Sequence, residues 1–355
     1  MRIETAHPTE LGSGEIALWR AHQRENAALR SPYFAPDWAV IVGAARKDAR
    51  VCVIEGGRGF FGAQRLSSFA AMGLGAPIAD YQGVVGEAGL EVSARALCRA
   101  LKVGRIDLTH VPAGQSILSQ GAGAREGSWI AETGGARTTY EAGLRARRAE
   151  FVRQTDKKLR KLEREAGPVR FAVETDGDAF TTLLAWKRAQ LKGSGQPAIW
   201  DTPWVRQVIE TCFARTDVEA LSGVLFTMRV DGRLAAASFC LRSTHALHMW
   251  IIGHDEAFEA HSPGVQLARW VIGWAGDNAI AEVDFGPGEY RYKRQLATAE
   301  RAIMHGVAAT TSWSGAIRRG EYALRARIER MPEPRLAALP GKAMRKLDLI
   351  RALAA

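Results

Sequence analysis

The order of predicted elements between Leu221 and Phe285 constrains the fold of this chain more than any other feature. Two apolar runs, Leu221 to Val230 and Arg233 to Leu241, flank Asp231-Gly232, a dipeptide typical of two-residue β-hairpin turns. Periodicity then predicts a strand, a helix and a second strand. A hairpin followed by strand, helix and strand predicts a mixed sheet with helices packed against it.

Similar patterns predict α/β structure along the rest of the chain. The predicted strands are 50–54, 59–66, 105–111 and 169–174, and the predicted helices are 91–101, 141–165, 178–191 and 203–215. A length of 355 residues suits two domains of ordinary size. We therefore predict two mixed α/β domains, over residues 1–140 and 167–330. A basic helix over 141–166 connects them, and a basic amphipathic tail covers 331–355.

Positive charge is concentrated in two segments of a chain whose net charge is +10. Glu141 to Arg170 contains ten Lys/Arg and five Asp/Glu, and Arg318 to Ala355 contains ten and four, so the remainder carries −1. This concentration favours local anion binding over a general nucleic-acid coat, and we expect no DNA partner. The alternative is that both segments present solvated helix faces.

The sequence contains no apolar run of membrane-spanning length, and Met1-Arg2-Ile3-Glu4 does not resemble a signal peptide. We therefore expect a cytoplasmic protein. Its four cysteines have no CxxC pair and no histidine at metal-ligand spacing. The four cysteines, which are predicted to be core residues in a reducing compartment, are Cys52, Cys98, Cys212 and Cys240. No metal site is expected.

The segment that begins at Ser262 predicts an anion site. Ser262 suits a helix N-cap, Pro263 suits the first helical position, and Gly264 leaves backbone N–H groups uncovered. A strand followed by an open helix N-terminus favours phosphate, because the helix dipole and free N–H groups attract anions. The alternative is an ordinary capped helix.

Two motifs carry a resemblance to a known family. His-Ser-Pro-Gly at 261–264 and VDFGPGEYRYKRQL at 283–296 resemble the GNAT branch of acyl-CoA-dependent N-acetyltransferases associated with cellulose and other exopolysaccharide synthesis. Within that branch the similarity is greatest to holdfast polysaccharide N-acetyltransferases. The branch is related to the FemAB-type peptidoglycan aminoacyltransferases. The resemblance covers most of the chain, most strongly 151–303, and it implies two GNAT-like domains in tandem.

The resemblance also implies where ligands bind. Acetyl-CoA is expected as co-substrate, with its pyrophosphate on the start of the second-domain helix, at Ser262, Pro263, Gly264 and Val265. In the first half, GAPIADYQG at 75–83 resembles the substrate-side motif of the family, so Asp80 and Tyr81 are expected to bind an amino sugar. The alternative is that both are turn residues at the surface.

Asp284, Glu289 and Lys293 are the candidate catalytic residues. Asp-Phe-Gly at 284–286 is not a kinase signature here, because a glycine-rich loop, a strand lysine and a His-Arg-Asp loop do not precede it in order. Amide formation needs a base for the amine and a donor for the thioester oxyanion. We predict Asp284 or Glu289 as base and Lys293 as oxyanion or phosphate partner, with a strand-end salt bridge as the alternative.

Two weaker predictions complete the set. Trp186, Lys187 and Gln190 precede a flexible loop and are predicted to contact a sugar, although a tryptophan there is also typical of a core. In the basic segment that begins at Ile317, four arginines are predicted to bind a cyclic dinucleotide, or the segment is predicted to bind anionic membrane. They are Arg318, Arg319, Arg325 and Arg327. The alternative is a solvated helix packed on the body of the protein.

Three functions are compatible with these patterns. The first is N-acetyl transfer from acetyl-CoA to the amine of a nucleotide- or polyprenyl-phosphate-linked amino sugar for surface polysaccharide. The second is an aminoacyl-tRNA-dependent ligase of peptidoglycan type, whose basic helix would grip RNA. The third is a non-catalytic GNAT pair that binds a ligand and regulates a polysaccharide assembly complex.

Overall fold

The computed structural model describes residues 1–118, 123–194, 196, 199–216, 221–310, 312–328, 344, 348–350 and 352–353. The chain forms two compact units. Unit 1 comprises Met1–Gly127, Asp201–Val208 and Ala302–Ala355, and unit 2 comprises Ser128–Trp200 and Ile209–Arg301.

Both units combine strands with α-helices. The strands are β1 Ile3–Ala6, β2 Ala49–Ile54, β3 Gly59–Gln64, β4 Ala70–Gly73, β5 Val84–Gly86, β6 Arg105–Pro112, β7 Gly123–Glu132, β8 Val169–Glu174, β9 Ser222–Val230, β10 Arg233–Arg242, β11 Ala246–His254, β12 Glu282–Pro287 and β13 Ala299–Ala309. The helices are α1 Ser13–Glu25, α2 Pro36–Ala45, α3 Ala94–Ala100, α4 Arg137–Ala166, α5 Gly177–Gly193, α6 Pro203–Ala214, α7 Pro263–Asp277, α8 Arg291–Leu296 and α9 Trp313–Ile328.

Unit 1 contains a mixed sheet with the order β1-β2-β3-β4-β6-β13, and β5 pairs with β3. The β4–β6 pair is parallel and the other pairs are antiparallel. Its core contains Leu97 and Cys98 of α3 with Ile106 and Leu108 of β6, all fully buried. The apolar positions of α3 and β6 thus explain why that helix packs on that strand.

Unit 2 contains a second mixed sheet with the order β7-β12-β11-β10-β9-β8. The β11–β12 pair is parallel, and α7 connects its two strands. Helix α4 packs on α7: Gln266 Nε2 donates to the Thr155 carbonyl at 2.8 Å, and Arg269 pairs with Glu141 and Asp156. Although burial opposes it, these two carboxylates raise the pKa of Arg269. The ion pairs therefore hold the basic helix against α7.

The structure confirms the predicted α/β class and most of the predicted elements. The β9–β10 hairpin turns at Asp231 and Gly232, both with positive φ, as a primed two-residue turn requires. The basic helix extends from Arg137 to Ala166, with non-helical angles at Arg148, so it is broken there. The four cysteines are buried, as predicted, and burial raises the thiol pKa of Cys98 to about 11.

The two units divide the chain differently from the predicted ranges. The basic helix is part of unit 2, and residues 302–328, which were predicted in the second domain, belong to unit 1. The reason is that β13 pairs antiparallel with β6, so that Ile303 lies opposite Pro112 and Ala309 opposite Arg105. Periodicity predicts a strand but does not identify a partner so far away in sequence.

The tail predicted at 331–355 lies mostly outside the described residues. Within the described part of the chain, no helix combines the length and hydrophobicity needed to cross a bilayer.

Candidate functional site

The start of α7 is an open helix N-terminus of unusual geometry. Ser262 has left-handed angles, φ 54° and ψ 53°, and its side chain does not cap the helix. Instead its Oγ accepts a hydrogen bond from Lys158 Nζ at 2.8 Å. The predicted helix start at Pro263 is confirmed. Lys158, on α4, thereby adds a positive charge where the helix dipole is also positive.

The number of free N–H groups at this terminus is smaller than the sequence predicts. Pro263 has no N–H, Ser262 N–H donates to the Glu259 carbonyl, and Val265 N–H donates to the Ser262 carbonyl. The last bond is a tight 3₁₀-type contact, which uses an amide that a regular α-helix leaves open. Of the N–H groups between Ser262 and Val265, all of them in described residues, that of Gly264 is therefore the one available to an anion. A Cβ at Gly264 would meet nothing closer than 3.8 Å, so this position is open.

A cavity of about 270 Å³ lies at this helix start. Its walls come from α4, α7 and α8: Phe151, Gln154, Thr155, Lys158, Ser262, Val265, Gln266, Arg291, Tyr292 and Gln295. Lys158 and Arg291 are cationic, and the residues that line the cavity include no carboxylate. A positive cavity at a helix N-terminus is suited to a phosphate group.

Asp284, at the end of β12, is held in a buried network. Its carboxylate accepts hydrogen bonds from Ser128 Oγ at 2.9 Å and from the Gly286 N–H at 2.8 Å. Arg301 Nη1 lies at 3.2 Å from Asp284, and Arg301 also pairs with Glu282. Asp284 is 1% exposed. This geometry fits the strand-end salt bridge that was the alternative to a catalytic base.

The other two catalytic candidates follow on the same segment. Glu289 has a side chain 71% exposed and pairs with Arg294 at 3.0 Å. Lys293 is buried, and its Nζ donates to the carbonyls of Gly286 and Pro287 at 3.3 and 2.6 Å. The Lys293 ammonium is therefore held against the last two residues of β12, which closely follow Asp284.

Helix α5 brings a second lysine to Lys293. Lys187 Nζ donates to the Ile252 carbonyl of β11 at 3.4 Å. Burial, and then the charge of Lys293, lower the pKa of Lys187. Trp186 packs near Gly253 of β11, while Gln190 is exposed. The structure thus groups Lys187 and Lys293, which the sequence predicted for separate roles.

The acceptor-side candidates of unit 1 differ in accessibility. Asp80 is half-buried, whereas Tyr81 is 1% exposed and its ring lies 5.8 Å from that of Phe34. The expectation that Tyr81 binds an amino sugar is corrected, because its ring packs in the interior of the unit. The Tyr81 side chain is packed inside the unit, next to the turn that carries Asp80.

The expectation for Arg318 is also corrected. Its guanidinium is 2% exposed and pairs with Asp107, Glu321 and Asp348. Although burial opposes its charge, these carboxylates raise the pKa of Arg318. The three other arginines of the predicted dinucleotide site are half-buried or exposed on α9: Arg319, Arg325 and Arg327. Arg318 holds the fold together and is not presented to a ligand.

Sequence reasoning missed Lys158, Arg291 and Arg301. Lys158 is one of several cations on a basic helix, and only the packing of α4 on α7 singles it out. Arg291 lies beside the predicted catalytic turn, so its position was a usable signal. Arg301 pairs with Asp284 across 17 residues of sequence, a separation that carries no local signal.

One family model matches part of this chain. Residues 149–294 match the family model described as Acetyltransferase (GNAT) domain. No curated protein sequence matches this chain significantly. The matched segment includes α7, Asp284, Glu289, Lys293 and the residues that line the cavity except Gln295.

Similar solved structures support the fold. The crystal structure of FemX is 10% identical, with 86% of this chain and 97% of that chain covered and a TM-score of 0.56. The C-terminal domain of a putative lysylphosphatidylglycerol synthetase from Agrobacterium fabrum is 9% identical, covering 87% and 96%, with a TM-score of 0.55. A conserved protein of unknown function from Bacteroides thetaiotaomicron is 10% identical, covering 86% and 99%, with a TM-score of 0.54. At these identities the likeness shows the fold alone.

Proposed function

We propose that this chain is an N-acyltransferase that moves acetyl from acetyl-CoA to the amine of a nucleotide- or lipid-linked amino sugar used for surface polysaccharide. The observation that carries the proposal is the cationic cavity at the start of α7, within the segment that matches the GNAT domain. The pyrophosphate of the coenzyme would lie there, near the Gly264 N–H, Lys158 and Arg291. Acetyl-CoA supplies the acyl group, and the proposal requires no metal for the transfer.

The proposed reaction is an acyl transfer from sulfur to nitrogen. The amine nitrogen attacks the thioester carbonyl carbon, the new C–N bond forms, and the C–S bond breaks to release the coenzyme thiol. The amine loses one proton, and negative charge develops on the carbonyl oxygen. Lys293 is the proposed partner of that oxygen, because its ammonium is fixed at the end of β12 by two carbonyl contacts.

The base is proposed among the two carboxylates of the same segment. Asp284 would have to leave its contacts with Arg301 and Ser128 to approach an amine. Glu289 is exposed and reaches solvent without such a change. The contacts therefore favour Glu289 as the proton acceptor and Asp284 as the residue that fixes the end of β12.

The acceptor contacts remain part of the proposal. Trp186 and Gln190 lie on α5, the helix that also carries Lys187. Burial and the charge of Lys293 lower the pKa of Lys187, so the surroundings of this lysine are polar and partly dehydrated. Asp80 is the proposed amino-sugar contact of unit 1. An amino sugar carried on a nucleotide or a polyprenyl phosphate also offers phosphate groups, which suit lysine.

A second candidate is an aminoacyl-tRNA-dependent ligase. The observation that favours it is the exposed basic face of α4, which includes Arg153, Lys157, Arg160 and Lys161. The peripheral membrane contact, the dinucleotide contact through Arg319, Arg325 and Arg327, and the non-catalytic regulatory role remain alternatives for the same chain.

The function is tested by incubating the purified chain with acetyl-CoA and UDP-glucosamine, and measuring thiol release and N-acetylated product. A parallel reaction contains aminoacyl-tRNA and the same acceptor. Acetylated product with acetyl-CoA supports the proposal. Transfer from tRNA alone would establish the ligase, and binding of coenzyme A without turnover on any amino-sugar acceptor would support the non-catalytic role.

Lys158→Ala is expected to weaken coenzyme A binding about tenfold. A hydrogen bond to a charged partner contributes about 1.5 kcal/mol or more, and exposure of Lys158 keeps the effect near the lower end. Calorimetry at low salt measures the change, and higher salt should reduce it. Binding of pantetheine, which lacks phosphate, should not change.

Lys161→Ala is the matched control, because Lys161 lies one turn along α4 and does not line the cavity. Equal weakening by both variants would mean a general charge effect. Unchanged affinity in Lys158→Ala would remove this lysine from the donor site.

Lys293→Ala is expected to lower kcat about a hundredfold while the Kd for acetyl-CoA changes little. Loss of one well-placed oxyanion donor costs about 3 kcal/mol in the transition state and less in the ground state. Arg170→Ala, which removes an exposed cation on β8 that has no role in the proposed reaction, is the control. A variant that binds acetyl-CoA poorly but turns over normally when saturated would instead assign Lys293 to donor binding.

A further inference from the structure

Unit 1 contains a cluster of three metal-ligating side chains that the proposed reaction does not use. His110 lies on β6, Glu126 on β7 and His305 on β13. His305 Nε2 and Glu126 Oε2 are 2.9 Å apart, and the rings of the two histidines meet edge to face at 4.7 Å. One ligand atom from each residue lies within 4.8 Å of the other two.

The backbone is irregular where the two histidines meet. The β6–β13 register shifts between Met304 and Gly306, so His305 lies in the irregularity. On the facing strand His110 has φ 54°, in the left-handed region that a non-glycine residue rarely adopts. Bulges re-aim side chains, and strained residues of this kind concentrate at functional sites. Both backbone irregularities lie at the positions that carry the two imidazoles.

The cluster also contains an unsatisfied buried atom. Nδ1 of His110 is shielded from solvent and has no hydrogen-bond partner among the described residues. An unsatisfied buried polar atom of this kind costs about 1–3 kcal/mol. Glu126 and the nearby Asp80 place negative charge around the two rings. A cation held between the rings and Glu126 would use this charge and give the imidazoles a partner.

We propose that His110, Glu126 and His305 bind one divalent transition-metal ion, with Zn²⁺ as the ion the donor set fits best. Two imidazoles and one carboxylate are a common set for zinc, and three protein ligands leave a fourth position open. Ligand atoms around tetrahedral zinc lie about 3.4 Å apart, given a Zn–N distance of about 2.1 Å. The separations between ligand atoms therefore shorten by at most about 1.4 Å on binding, and the metal joins β6, β7 and β13.

The sequence did not predict this site, since the three residues are far apart in the chain. The metal takes no part in the proposed acyl transfer, whose catalytic candidates lie in the segment that matches the GNAT domain, although Asp80, the proposed amino-sugar contact, lies near His110. The competing interpretation is that Glu126 and His305 form only a hydrogen-bonded pair.

The test uses the untagged full-length chain after treatment with a chelator and desalting. Calorimetry with ZnCl₂ is expected to show saturable binding of one ion per chain, and the melting temperature should rise. Added CoCl₂ should give the intense visible absorption of a four-coordinate site. Absence of saturable Zn²⁺ binding in this protein overturns the proposal, whether or not the chain has acetyltransferase activity.

Variants assign the ligands. Each of His110→Asn, Glu126→Gln and His305→Gln should weaken Zn²⁺ binding by at least the roughly ten- to hundredfold that loss of a supporting residue costs. Asn is chosen at His110 because it tolerates left-handed angles. His245→Gln, at an exposed histidine of unit 2, should bind as the parent does. Circular dichroism checks folding, and equal affinity in all four variants would disprove this ligand set.

Discussion

Arg318→Ala is expected to lower the free energy of unfolding by about 4 kcal/mol, because breaking a buried ion network leaves uncompensated charge in the interior. Arg318 is 2% exposed, and its Nε donates to Asp107 Oδ1 at 3.1 Å. Glu321 and Asp348 complete the network. Urea denaturation of the two proteins measures the difference.

Arg319→Ala is the matched control for Arg318, since it removes the same charge from a half-buried position on the same helix. We expect its stability to change by less than about 0.5 kcal/mol. Comparison of these two variants also tests the prediction that a cyclic dinucleotide binds to this helix. Loss of cyclic-dinucleotide binding in Arg318→Ala, with full stability retained, would show that Arg318 reaches a ligand and that the buried network is not its main role.

Asp284→Asn is expected to lower the free energy of unfolding by about 3 kcal/mol, because it removes the negative charge that pairs with Arg301 in a site 1% exposed to solvent. Arg301 keeps its ion pair with Glu282 in this variant, so the loss of stability is smaller than for a buried charge with no partner. Urea denaturation measures stability, and turnover is measured on the folded fraction.

Glu289→Gln is the companion variant for Asp284→Asn. Its side chain is exposed, so stability should be nearly unchanged while turnover falls if Glu289 accepts the proton. The reverse result, a stable Asp284→Asn variant with little turnover beside an active Glu289→Gln, would assign the base to Asp284. It would also mean that the buried ion pair opens during the reaction.

The start of α7 shows how far local sequence information reaches. Ser-Pro-Gly predicted the start of α7 correctly, because capping residues and proline act on the backbone nearest to them. It predicted too many free N–H groups, since the left-handed Ser262 tightens the first turn and engages Val265. The partner of Ser262 was not predictable, because Lys158 lies far away in sequence on α4.

The sequence by itself determined the class of fold, the positions of most helices and strands, and the segment that carries the strand-end carboxylate and lysine. These follow from hydrophobic periodicity and turn chemistry, which act over a few residues. Only the tertiary structure decided that Asp284 is paired with Arg301, that Arg318 is buried and that His110 meets His305. The physical reason is that strand pairing and helix packing bring together residues whose separation in sequence carries no local signal. Burial then determines whether a charged side chain supports the fold or remains accessible to a ligand.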